Sequence, residues 1–249
     1  MSGHSKWATI KRKKGKNDAQ RGRIFTKLIK EIAIAARNGG GNPDANPRLR
    51  RAIDTAKANS MPMENVERAI KRGTGELEGV SYEEITYEGY APGGVALLIE
   101  AVTDNRNRTV SELRNLLSKN GGNLAEAGAV AWVFEAKGSI SVEKSAGTEE
   151  DVFNIALEAG AEDMETEGET YEITTPLTEL DAVRRALEDA GIAVASAEPA
   201  RVPTTTVKVE GKQAEQVMRL LEALDDHDDV QKVWDNSDID EKVLAELAA

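Results

Sequence analysis

Hydrophobic residues recur with a helical period in the first third of the chain. In segment 18–37 they stand at i, i+3, i+4, i+7 and i+11, which predicts one amphipathic helix. Its apolar face contains Phe25, Leu28, Ile29, Ile32 and Ala36. Asn46 and Pro47 are typical of a helix start and open a second helix, and a third is predicted from Ser60 to Gly73. The pattern therefore indicates a small three-helix bundle.

The period of the pattern then falls from 3.6 to 2, which is typical of strands. Predicted strands at 82–87 and 95–102 flank a Pro-Gly-Gly turn, and a helix at 106–119 and a strand at 129–134 follow. From Lys137 onward the predicted order is β-α-β-β-α-β, the ferredoxin-like arrangement.

The final predicted elements comprise two strands and one helix, too few to form a domain alone. We therefore expect them to complete the sheet that begins after the bundle. The predicted fold class is α+β with three domains. These are an N-terminal three-helix bundle at 1–75, a discontinuous α/β domain at 76–135 plus 203–240, and an inserted ferredoxin-like domain at 136–202. Residues 241–249 are expected to form a tail.

The charge is strongly polarised along the chain. Residues 1–75 contain 18 Lys and Arg against 6 Asp and Glu, a net charge of +12. The remaining residues contain 14 against 38, a net charge of −24, so the overall charge of −12 conceals a basic N-terminal third. Clustered cations release counterions when they neutralise phosphates, and this asymmetry therefore predicts a nucleic-acid partner.

The basic charge is densest in 3–16, which reads GHSKWATIKRKKGK and contains no acid. Its candidate phosphate contacts are Lys6, Lys11, Arg12, Lys13, Lys14 and Lys16. Trp7 has two interpretations: it is a candidate to stack on a base, but packing against the bundle is favoured, because a lone tryptophan in a small domain usually belongs to the core.

Further candidate nucleic-acid contacts are arginines of the predicted helices: Arg21, Arg23, Arg48, Arg50, Arg51, Arg106 and Arg108. Arg106 and Arg108 lie in the first turn of a helix capped by Asp104 or Asn105. Since the helix dipole disfavours cations there, their placement points to an anionic partner. The second and third helices are also compatible with a helix-turn-helix, although no recognition helix stands out.

Catalytic and metal chemistry find little support. The chain has no cysteine, and its histidines, His4 and His227, have no serine placed as a nucleophile. Segment 225–229 (DDHDD) is expected to be a solvated turn rather than a metal site. We therefore expect no enzyme activity, no cofactor and no metal. No apolar run approaches the roughly 18 residues of a membrane span, so no membrane partner and a cytoplasmic location are expected.

Four stretches resemble the YebC/PmpR family: GHSKWATIKRKKGKNDAQRGRIFTKLIKEI, NPRLRRAIDTAKANSMPMENVERAIKRGTG, YEGYAPGGVALLIEAVTDNRNRT and DDVQKVWDN. The similarity covers nearly the whole chain in order. It implies a three-domain α/β protein with a helical N-terminal domain, acting as a regulator of gene expression.

Two functional hypotheses follow. In the first, the chain binds duplex DNA as a transcriptional regulator. In the second, it binds ribosomal RNA as a ribosome-associated translation factor, a role that the resemblance also implies and that a Lys-rich arm suits. The sequence is compatible with a monomer.

Overall fold

The computed structural model of the chain describes residues 18–240, which form two compact units. The first comprises residues 18–131 with 206–240, and the second comprises residues 132–205. Both combine helices with antiparallel sheet, which confirms the predicted α+β class. The α-helices of the described residues are α1 (Asp18–Gly39), α2 (Pro47–Ala58), α3 (Met63–Gly73), α4 (Arg106–Lys119), α5 (Glu149–Glu158), α6 (Leu180–Asp189) and α7 (Gly211–Asp225).

The strands of the first unit are β1 (Glu83–Ala91), β2 (Val95–Thr103), β3 (Asn123–Leu124), β8 (Val207–Lys208), β9 (Val230–Asp235) and β10 (Ser237–Asp238). Those of the second unit are β4 (Phe134–Glu143), β5 (Asp163–Glu167), β6 (Thr170–Pro176) and β7 (Val194–Pro203). The first of the two final strands expected from the sequence is only two residues long, β8, and it pairs in parallel with β10.

Helices α1 to α3 pack around a common apolar core, as the hydrophobic period predicted. The residues buried in it include Ile32, Ala36, Leu49, Ala52, Ile53, Ala56, Val66 and Ala69. Asn46 caps α2 through its side-chain oxygen, which accepts from the Leu49 N–H at 3.1 Å, while its amide donates to the carbonyls of Ala35 and Gly40. One buried side chain thus ties the end of α1 to the start of α2.

Gly73, at the end of α3, allows that helix to approach α1 closely. A Cβ atom at this position would lie 2.2 Å from the carbonyl oxygen of Ala33 and 2.9 Å from the Cβ of Ala36. Such distances are incompatible with any side chain, so glycine is required here for packing rather than for backbone conformation.

The main sheet of the first unit has the strand order β3-β1-β2-β9. Strand β9 follows the second unit in sequence and pairs antiparallel with β2. The sheet is therefore built from strands that precede residues 132–205 in the chain and a strand that follows them. Helices α4 and α7 bury their apolar faces on it, with Leu113 and Leu117 from α4 and Leu220 and Leu224 from α7 fully inside. Helix α1 contacts β2 and β9.

The segment before the second unit differs from the predicted strand at 129–134. Its backbone is held by the buried carboxylate of Glu88, which accepts hydrogen bonds from the N–H groups of Gly128, Val130 and Ala131 at 2.6 to 2.9 Å. Because these donors converge on one side chain, they are not available to a sheet ladder. Burial opposes ionisation of Glu88, but the three hydrogen bonds lower its pKa.

The second unit has the predicted ferredoxin-like order. Its four strands form one antiparallel sheet in the order β5-β6-β4-β7, with α5 after β4 and α6 after β6. The helices cover one face, where Ile140, Val152, Ile173, Val183 and Leu187 form the core. Strand β4 begins at Phe134 and is longer than expected, because it pairs with β7 from Phe134 to Val142.

Within residues 18–240, no helix combines the length and apolar character that crossing a membrane requires.

Candidate nucleic-acid interface

The candidate phosphate contacts divide into two groups. Those of the N-terminal arm lie outside the described residues: Lys6, Trp7, Lys11, Arg12, Lys13, Lys14 and Lys16. The arginines of α1, α2 and α4 are described, and most of them contact carboxylates of the same unit. The structure therefore separates cations that are neutralised within the fold from cations that face solvent with no such neighbour.

Arg48 connects three elements of the first unit. From the first turn of α2 its guanidinium donates two hydrogen bonds to Glu31 on α1, at 2.7 and 2.9 Å, and it also contacts Glu84 on β1. The hydrogen bonds to Glu31, partly opposed by burial, raise its pKa. Neither of these carboxylates lies on α2 itself, so the partners of Arg48 come from other elements of the fold.

Arg108 is paired within the fold as well. Asn105 caps α4 by accepting from the N–H of Arg108, and the guanidinium of Arg108 contacts Asp104 at 2.8 Å and Asp229 at 2.9 Å. Its placement in the first turn therefore has an internal explanation, since two carboxylates supply the anionic partner that the helix dipole argument required. That argument gives no reason to expect phosphate at Arg108.

Asp229 is the centre of a buried polar network. Its carboxylate accepts from Lys30 at 2.5 Å, from Thr109 at 2.7 Å and from Arg108 at 2.9 Å. Burial would raise the pKa of Asp229, but these hydrogen bonds hold it well below its usual value. The expectation of a solvated turn at 225–229 was thus wrong for this residue, because α1 and α4 both supply cations to it.

Arg23 and Lys27 continue the same arrangement along α1. Arg23 contacts Asp226 at 2.5 Å, and the Lys27 ammonium contacts the Asp225 carboxylate at 3.2 Å and its backbone carbonyl at 2.6 Å. We call residues 225–229 the acidic turn and Arg23, Lys27 and Lys30 the cation row. Their spacing of i, i+4 and i+7 places the three cations on one side of the helix.

The remaining arginines are more accessible. Arg50 is exposed; it donates to the backbone carbonyl of Pro43 and pairs with the still more exposed Asp44, a pair worth little in water. Arg51 is partly exposed. Arg21 and Arg106 are exposed, and neither has a carboxylate oxygen within 4.0 Å among residues 21–240. Arg21 and Arg106 therefore remain open to an external phosphate.

Lys71 and Arg72, at the end of α3, also face solvent without a carboxylate within 4.0 Å among the described residues. They extend the basic surface of the bundle, although the candidate contacts named from the sequence do not include them. Only the structure shows that they lack an ionic partner, whereas nearby Arg68 contacts Glu64.

Glu112, His227 and Asp229 bring three potential metal-ligand atoms within 4.8 Å of one another. The Asp229 oxygens, however, already contact the cations of Lys30 and Arg108, and a metal ion would have to displace both. His227 accepts the N–H of Asp229 with Nδ1, and its Nε2 lies 3.1 Å from Glu112. The group is best explained as part of the buried network.

Two family models cover most of the chain. The TACO1/YebC N-terminal domain matches residues 5–76, and the TACO1/YebC second and third domains match residues 82–237. The chain belongs to the TACO1/YebC family. The family's N-terminal domain coincides with the basic region, and its boundary falls between α3 and β1.

Curated relatives extend over the full length. A protein of Desulfotalea psychrophila is 57% identical over 249 residues, with both chains covered completely, and one of Chlorobaculum tepidum is 55% identical over 248 residues, with 99% of each chain covered. Both are named "probable transcriptional regulatory protein". A crystal structure of a conserved hypothetical protein, Aq1575 from Aquifex aeolicus, is 49% identical and superimposes with a TM-score of 0.85. The alignment covers 93% of this chain and 97% of that one.

Proposed function

We propose that the chain is a non-enzymatic, nucleic-acid-binding regulator of gene expression that acts in the cytoplasm. The observation that carries this proposal is the charge partition, with a net charge of +12 in residues 1–75. This is also the region that matches the family's N-terminal domain. The names of the relatives support a regulatory role and favour binding to duplex DNA for transcriptional control.

In this proposal the N-terminal arm provides most of the phosphate contacts, and Arg21, Lys71, Arg72 and Arg106 extend them onto the described surface. These four cations have no carboxylate within 4.0 Å among residues 21–240, so contact with phosphate would break no ion pair within that range. Arg48 and Arg108 are assigned to structure instead, because Arg48 contacts two carboxylates and Arg108 contacts three within 4.0 Å.

A second candidate function, binding of ribosomal RNA by a translation factor at the ribosome, is favoured by the start of α3. In a helix-turn-helix this helix would present its first residues to base edges. Here the first turn carries Glu64, which contacts Arg68, and it contains no free cation. A surface without a recognition helix is better suited to irregular RNA than to the reading of duplex sequence.

Fluorescence anisotropy with a labelled 20-base-pair DNA duplex and an RNA hairpin of equal length tests the proposal. Deletion of residues 1–16 should weaken binding by orders of magnitude, and wild-type affinity should fall steeply with salt. Replacement of Lys71 and Arg72 by Ala should weaken binding further than replacement of Arg184 and Arg185, a matched pair from the second unit. Unchanged affinity of the truncated, folded protein would refute the assignment to the arm.

Sedimentation of cell extracts distinguishes the two targets. Co-migration with polysomes that RNase treatment abolishes would favour the ribosome, and absence from these fractions together with tighter binding to the duplex would favour transcriptional control.

A further inference from the structure

The contact between α1 and the acidic turn is graded from exposed to buried. The side chains of Arg23 and Asp226 are 39% and 42% exposed, those of Lys27 and Asp225 are 16% and 25% exposed, and those of Lys30 and Asp229 are 9% and 3% exposed. The outer pair is thus open to solvent ions, whereas the inner pair is closed. A competing anion would meet Arg23 first, Lys27 second and Lys30 last.

The position of the acids points to a role beyond packing. Asp225 is the last residue of α7 and Asp226 is its C-terminal cap, where the helix dipole disfavours negative charge. The cation row relieves this cost, and the carboxylates in turn occupy cations that would otherwise be free. The contact therefore stabilises both the acids and the cations, but the exposed pair of Arg23 and Asp226 contributes little free energy in water.

The location of the cation row connects it to the basic region. Arg23 follows Lys16 by seven residues, and Arg21, two residues before Arg23, has no carboxylate oxygen within 4.0 Å among residues 21–240. A groove of about 830 Å³ beside the row is lined by Arg23, Lys30, Asp226 and Asp228, so that an anion can reach the outer pair from solvent.

We propose that Asp225 and Asp226 are an internal competitor for phosphate. This inference rests on the proposed nucleic-acid binding. When nucleic acid binds, Arg23 and then Lys27 exchange their carboxylates for phosphate oxygens, while the buried Lys30–Asp229 pair remains closed and anchors α1. The acidic turn thereby lowers the affinity of the wild-type protein and restricts binding to ligands that carry enough phosphates to displace it.

The test compares two single substitutions that change the charge equally. Asp226→Asn removes the partner of Arg23, whereas Asp228→Asn removes an exposed acid of the same turn whose side chain forms no ion pair among the described residues. With the labelled duplex and hairpin at 0.1 M salt, Asp226→Asn should bind about two- to fivefold more tightly than Asp228→Asn, the range equivalent to one exposed ion pair.

A double-mutant cycle identifies the cation. In an Arg23→Gln background, Asp226→Asn should bind no more tightly than Asp228→Asn, because the cation that it would release is absent. If the advantage of Asp226→Asn persisted in that background, it would reflect the general field of the turn, and exchange at Arg23 would be refuted.

The outcomes separate this inference from the proposed function. If wild type bound the probes and Asp226→Asn and Asp228→Asn bound them with equal affinity, the internal competitor would be refuted and the proposed nucleic-acid binding would be retained. If Asp226→Asn bound a probe that wild type did not, the competitor would be supported in its strongest form. If neither wild type nor Asp226→Asn bound either probe, both proposals would be overturned.

Discussion

Replacing Asp229 by Asn tests whether the buried network holds the first unit together. The substitution removes the negative charge that faces Lys30 at 2.5 Å and Arg108 at 2.9 Å. Loss of one partner from a buried pair costs about 3–5 kcal/mol, because the other charge is left uncompensated. Asn retains an oxygen that can accept from Thr109, and Arg108 keeps Asp104, so we expect a loss near the lower limit, about 3 kcal/mol.

Urea unfolding at pH 7, followed by circular dichroism, measures this loss, and amide hydrogen exchange in β9 assigns it to the first unit. Asp228→Asn is the matched control and should change the free energy of unfolding by less than about 0.5 kcal/mol. Adding Lys30→Met to Asp229→Asn should recover much of the loss, since the buried ammonium is then removed together with its partner. Equal stability of the Asp229 and Asp228 variants would refute the reasoning.

The pH dependence provides a second check on Asp229. Its pKa in the folded protein lies below its ordinary value of 3.8, so the stabilisation is complete above that pH and is lost as the pH falls. The difference in the free energy of unfolding between wild type and Asp229→Asn should therefore become smaller below about pH 4. A difference that stayed constant into the acid range would show that the carboxylate charge is not its source.

Three further predictions concern other parts of the chain. Arg108→Ala should lower the thermal midpoint whereas Arg106→Ala should leave it unchanged, because only Arg108 contacts carboxylates; equal midpoints would contradict this. Burial raises the pKa of Asp235 to about 6, so its ionisation costs stability as the pH rises from about 4 to 6. Urea titrations should show that the free energy of unfolding of Asp235→Asn rises relative to that of wild type by about 3 kcal/mol over that pH range. An identical pH dependence of the two free energies would refute this prediction. Finally, fragment 137–202 should unfold cooperatively, whereas fragment 76–135 should not fold without 203–240; a cooperative transition of 76–135 alone would exclude the discontinuous domain.

The regular elements were largely predictable because they depend on local periodicity. The apolar face of α1 was identified residue by residue, and the β-α-β-β-α-β order of the second unit followed from alternation and turn residues alone. The strand predicted at 129–134 failed for a non-local reason. Its apolar residues fit a strand, but their backbone donors are taken by Glu88, some 40 residues earlier.

The candidate site was less predictable for the same reason. A sequence shows that Arg48 and Arg108 are basic, but not that Glu84 and Asp229 lie beside them, because those partners are 36 and 121 residues away. One signal was available in the sequence. The helix dipole disfavours acids at the C-terminus of α7, and α1 carries cations at i, i+4 and i+7 on one side. Together these two features indicate a contact between them.

The pairing of β4 with β7 fixes the distance between the two ends of the second unit. The two strands are in register from Phe134 opposite Pro203, and the Thr204 N–H donates to the Val133 carbonyl at 2.8 Å. The first and last residues of the second unit therefore lie next to each other. Because these ends are held side by side, a change in the number of residues between β4 and β7 would leave the spacing of Val133 and Thr204 unaltered.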